Sequence, residues 1–244
     1  MKKLIVIFVV IIAALVLLLT LFKNLNKSDS VKPDSSDDED VVVEIPQDQM
    51  PFVSLTPTND GHFLKMKIEN IKIANANSVD YELVYKVKDG RTQGVPGSVK
   101  LNGQTMIERE LLLGSESSGK FRYDEGVNNG VFTLTIRDAQ GKLLGRKAND
   151  FVLLSKTKEG VSSDSMFKFT FSKQPKGYFV VMNTFGTLNA FDKQITYGPY
   201  GVFTVESDLK GTVDSANAYY YSGGNWVSLD SSVSVSPQVF IISN

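Results

Sequence analysis

A single histidine, His62, follows the turn Asn59-Asp60-Gly61, and a Ser-His-Asp triad in this chain would have to use it. No Gly-x-Ser-x-Gly elbow accompanies it, and a histidine beside a turn reads as the solvent-exposed end of a strand. The chain has no cysteine, which removes thiol nucleophiles, disulfide staples and cysteine-linked lipid attachment. With one histidine and no cysteine, zinc sites built on those ligands are impossible too. The sequence contains no P-loop, Gly-x-Gly-x-x-Gly fingerprint or EF-hand loop, so no cofactor is expected. What remains for acid–base chemistry is a carboxylate pair of the glycosidase kind, with Glu108, Glu110, Asp124 and Glu125 as candidates. Glu108 and Glu110 alternate with Ile107 and Leu111, which places both on the polar face of one strand. The chain is therefore expected not to be an enzyme, an envelope hydrolase with a carboxylate pair being the last alternative.

Two further constellations have chemical content. Asp37-Asp38-Glu39-Asp40 offers oxygen ligands, but it lacks the alternating spacing and glycine turn of a calcium loop, so no metal site is expected. Tyr197, Tyr200, Tyr219, Tyr221 and Trp226 gather amphipathic aromatics near glycine-rich turns, the kind of platform that stacks on sugars or anchors interfaces. The competing reading is ordinary sheet packing, because Tyr and Trp favour strands. Tyr219 and Tyr221 share one strand face while Tyr220 points to the other, so at most part of this set forms one surface.

The elements that would position these residues are strands. Leu64, Met66 and Ile68 alternate with Lys65, Lys67 and Glu69, and Ile71 and Ile73 continue in the opposite phase, predicting a bulge or bend near Asn70. Tyr81, Leu83, Tyr85 and Val87 alternate up to the turn Asp89-Gly90. Val131 to Ile136, then Asp138-Ala139-Gln140-Gly141, then Phe151 to Leu154 complete an all-β region. Beyond the polar stretch 155–163, Phe167, Phe169 and Phe171 alternate, and Tyr178-Phe179-Val180-Val181-Met182 is continuously apolar, as in a strand buried on both faces. The expectation is two antiparallel β-sandwich domains, 51–155 and 164–244.

Gly130-Val131-Phe132-Thr133-Leu134-Thr135-Ile136-Arg137-Asp138-Ala139-Gln140-Gly141-Lys142 resembles the late-strand hairpin of bacterial extracellular immunoglobulin-like domains. The resemblance spans thirteen residues and implies a fold, not an activity.

Ahead of the β region, Leu4 to Phe22 is an apolar run interrupted by Thr20 alone. As a helix it would be roughly 28 Å long, close to the ~30 Å hydrocarbon core of a bilayer. It ends without a small-x-small cleavage site, so residues 1–23 are expected to be an uncleaved signal anchor, a transmembrane helix holding the chain to the membrane through residues 4–22. Lys2 and Lys3 favour a cytoplasmic N-terminus, although Lys23 and Lys27 weaken the bias. Residues 24–50 follow as an acidic linker. Its segment 28–50 holds eight acids against Lys32, and few large apolar residues precede Val41. Val41 to Ile45 is either a first strand or the apolar end of that linker.

A net charge of −1 argues against nucleic acid as a partner. Together these features predict a single-pass, extracytoplasmic protein with a non-enzymatic structural or binding role in the cell envelope. The main alternative is a glycan- or peptide-binding module using the aromatic-rich C-terminal part. An envelope protein or a glycan is the expected partner.

Overall fold

The computed structural model describes residues 45–243, and the expected anchor at 1–23 and most of the acidic linker lie outside them. Among the described residues no helix is long and apolar enough to cross a membrane. The only helical element there is a 3-10 turn at Gln47–Gln49.

The first strands are β1 (Phe52–Pro57), β2 (Phe63–Glu69), β3 (Ser78–Lys86), β4 (Thr92–Lys100) and β5 (Ile107–Leu112). A projecting hairpin, β6 (Gly114–Ser117) and β7 (Lys120–Tyr123), precedes β8 (Asn129–Arg137) and β9 (Leu143–Leu154). Then come β10 (Glu159–Val161), β11 (Lys168–Phe171), β12 (Phe179–Asn183) and β13 (Ile195–Phe203). The last are β14 (Gly211–Val213), β15 (Ala218–Ser222), β16 (Asn225–Leu229) and β17 (Val239–Ser243). The chain is mainly β, and its strand pairings are antiparallel.

Nine strands form one sheet in the order β16-β15-β17-β13-β12-β9-β8-β3-β4, and two three-stranded sheets, β1-β2-β5 and β10-β11-β14, accompany it. The boundary expected at residue 155 falls just after β9. β9 nevertheless pairs with β12 across it, Leu154 opposite Phe179 and Phe151 opposite Met182. The two stretches expected as separate domains thus contribute to a common sheet.

They keep separate cores. Val53, Leu55, Leu64, Met66 and Ile68 of the first small sheet pack with Leu83, Phe132, Phe151 and Leu153 of the large one. Phe169, Phe171 and Val213 of the second pack with Val202, Phe240 and Ile242. Strand β12 serves both: Val180 and Met182 belong to the first core, Phe179 and Val181 to the second. Because successive strand residues point to opposite faces, the two small sheets cover opposite faces of the large sheet. The continuously apolar stretch at 178–182 is explained by this arrangement, all four of its β12 side chains being buried.

Both small sheets open with the same hairpin turn. In the first, the Thr58 hydroxyl donates to Asp60 and accepts from the Phe63 amide, while the Asp60 carboxylate accepts from the His62 amide. In the second, Ser162, Asp164, Phe167 and Met166 repeat that pattern. Gly61 and Ser165 hold the left-handed backbone, φ +71° and +61°, that the turn needs.

The phase change predicted near Asn70 is a bend: β2 ends at Glu69 and Asn70 adopts φ +59°. Ile45, the first described residue, packs against the first core.

Candidate functional site

The aromatic candidates are divided by strand pairing. Tyr200 lies opposite Phe240 and Tyr197 opposite Ile242, both on the face of the second core. Tyr200 is 1% exposed, stacks on Phe167 at 4.9 Å, and its hydroxyl donates to Asp164 at 2.6 Å. It is a core residue, which removes it from the expected binding set. Burial, and then the hydrogen bond to Asp164, push the Tyr200 phenol above its ordinary range. Tyr197 is 43% exposed and remains at the surface.

Tyr219 lies opposite Ile241, so it and Tyr221 occupy the other face of the sheet. Trp226 sits opposite Tyr221 on β16, their rings 5.2 Å apart and edge to face. Phe191 contacts both Tyr219 (5.1 Å) and Trp226 (5.7 Å), again edge to face. The ammonium of Lys193 lies 4.6 Å from the centre of the Tyr219 ring and donates to its hydroxyl. That hydrogen bond holds the Lys193 amine above its usual range. Three of the five expected residues therefore meet, joined by two that lie in a polar stretch carrying no periodic signal.

The segment 184–194 that brings Phe191 and Lys193 here is tied down at several points. Phe185 is fully buried in the first core, edge-on to Phe132 at 5.9 Å. Its φ of +67° is uncommon for a bulky side chain, and its amide donates to Asn183 Oδ1 at 3.0 Å. The Gly186 amide donates to the Pro51 carbonyl at 3.0 Å, and Asn70 Nδ2 donates to the Leu188 carbonyl at 2.8 Å. At the far end, Trp226 Nε1 donates to the Asn189 carbonyl at 3.2 Å, and Asn189 Nδ2 donates to the Gly224 carbonyl at 2.8 Å.

Between this segment and the 3-10 turn lies a cavity of about 950 Å³, at the upper end of the range for small-molecule sites. Asp48, Asn70, Lys72, Asn189, Phe191 and Lys193 contribute to its wall. Thr196 lines it as well, and among the described residues Thr196 Oγ1 is a buried side-chain oxygen without a hydrogen-bond partner. Lys72, Asn189 and Thr196 gave no sequence signal, because two stretches far apart in the chain supply them.

Three of the four carboxylate candidates, and His62, have partners of their own. Glu108 pairs with Lys65 at 2.9 Å, and Glu125 with Lys88 at 3.5 Å. Asp124 accepts the Tyr85 hydroxyl at 3.0 Å. His62 pairs with Asp60 at 3.1 Å and stacks on Tyr123 at 3.8 Å. Among the described residues, no group of His, Asp and Glu side chains is arranged to hold a metal ion.

Comparison with known protein families, curated proteins and solved structures gives no match for this chain.

Proposed function

We propose that this chain is a membrane-tethered, extracytoplasmic β protein with a non-enzymatic structural or binding role in the cell envelope. The observation that carries the proposal is the apolar run Leu4–Phe22, long enough to span a bilayer and followed by an acidic stretch before the first strand. The order β1-β2-β5 facing β9-β8-β3-β4 follows immunoglobulin-type sandwiches, so residues 51–155 are read as an Ig-like module. The second β module, 164–244, shares a sheet with it. Protease added to intact cells, or to outward-facing spheroplasts where an outer envelope blocks access, tests the topology. The proposal expects release of the β region; its protection in both preparations would reverse the orientation.

One observation favours binding over a purely structural role: Tyr219, Tyr221 and Trp226 share a face with Phe191 and Lys193 beside a cavity of mixed polar and apolar lining. Such a face suits a glycan or a peptide. Tyr219→Ala and Trp226→Ala, in the full-length protein, are expected to leave it folded and to abolish capture on a glycan or cell-wall panel. Loss of the fold would make these aromatics packing residues instead.

A further inference from the structure

We propose that the cavity between Gln47–Met50 and the 187–198 segment binds an acidic saccharide, a short sugar chain carrying carboxylate or phosphate groups. The inference rests on the aromatic-face reading and gives that face a ligand class.

Each part of the wall recognises a different part of such a molecule. Lys72 and Lys193 are exposed cations from different elements, against the single carboxylate of Asp48. They give the wall a positive balance and complement an anionic group. Lys193 is held in place by the Tyr219 ring and hydroxyl, so its remaining donors are pre-aimed. Asn70 and Asn189 commit their amide nitrogens to the Leu188 and Gly224 carbonyls. Their side-chain oxygens are thereby fixed as acceptors for hydroxyl groups. Thr196 Oγ1, buried and unpartnered at the wall, is a polar group that gains a hydrogen bond if a ligand reaches it. Phe191, braced by Tyr219 and Trp226, supplies an apolar surface for the C–H face of a sugar ring. The volume accommodates a short oligomer rather than a lone ion.

Trp226 is the only tryptophan in the chain, and its indole nitrogen is hydrogen-bonded to the segment that forms the wall. It is thus a built-in fluorescence reporter. The test titrates the full-length protein in detergent micelles with trigalacturonate, maltotriose and triglutamate. Trigalacturonate is expected to give a saturable change in Trp226 emission, with maltotriose and triglutamate each about tenfold weaker or worse. Lys72→Ala should weaken trigalacturonate about tenfold. Thr196→Val should weaken it while raising the melting temperature of the ligand-free protein, a combination that a purely structural threonine would not produce.

Absence of a saturable response to trigalacturonate overturns the proposal. So does an equal response to triglutamate, or indifference to Lys72→Ala. Equal binding of maltotriose that is lost in Tyr219→Ala also overturns it, yet leaves the aromatic-face reading standing.

Discussion

Val180 and Val181 are consecutive residues of one strand, both fully buried, yet they belong to different hydrophobic cores on opposite faces of the same sheet. This relationship makes β12 the wall common to both halves of the described molecule. It also suspends the 184–194 segment between the first core, where Phe185 inserts, and the aromatic face of β15 and β16.

Because β12 serves both cores, damage to either should be felt by the whole sheet. Met182→Ala removes a first-core side chain and Phe179→Ala a second-core one. Costs of roughly 2–5 and 3–5 kcal/mol respectively are expected. Urea unfolding followed by both Trp226 fluorescence and far-UV circular dichroism should show one coincident transition in each variant. Two separated transitions, each sensitive to one substitution only, would mean that the halves unfold independently.

The pair Asp164–Tyr200 predicts the pH dependence. Burial raises the Asp164 pKa, but hydrogen bonds from Ser162, Tyr200 and the Met166 amide outweigh it and leave the carboxyl below its ordinary value. A lowered folded value contributes stability above the unfolded pKa of about 4, lost as the pH falls through the folded one. The Tyr200 phenol is raised, so its contribution is present below about pH 10 and fades as the pH rises further. Stability from this pair is thus complete across neutral pH and declines on both sides. Asp164→Ala, which strands the buried Tyr200 hydroxyl, should cost roughly 1–3 kcal/mol at neutral pH. Tyr200→Phe should flatten the alkaline limb and, by removing one of the hydrogen bonds that hold Asp164 low, reduce part of the acid limb as well. Urea midpoints from pH 3 to 11 check both.

Much of this was legible in the sequence where local rules suffice. Alternation at Leu64–Ile68 and at Phe167–Phe171 gave strands of the right phase, and the uninterrupted apolar stretch at 178–182 announced a strand buried on both faces. The pairing of β9 with β12 was not legible, because period-two patterns specify faces, not neighbours. The fate of Tyr200 was hidden for a similar reason: its partner Asp164 lies in a hairpin turn 36 residues away. The cavity was the least visible feature, since Lys72 on one side and Asn189 and Thr196 on the other come from stretches far apart in the chain.

Gly186 offers a test of how the cavity is held open. A Cβ at this position would lie 1.9 Å from the Met50 carbonyl oxygen and 2.7 Å from its carbon. Backbone atoms cannot rotate away as a flexible side chain would, so Gly186→Ala must displace the Gln47–Met50 segment from the 184–194 segment. A destabilisation of roughly 1–3 kcal/mol is expected. Faster amide hydrogen exchange should be confined to the Gly186 and Val53 amides and their neighbours, which bond across this contact. Unchanged exchange there would show that the contact does not set the cavity wall.

The central claim, that the β region stands outside the membrane on an N-terminal tether, is tested most directly by thiol labelling. The chain has no cysteine, so one introduced at the exposed position Ser117 is unique. In full-length Ser117→Cys, the account predicts modification by a membrane-impermeant maleimide in intact cells or outward-facing spheroplasts. Modification only after the membrane is permeabilised would contradict it.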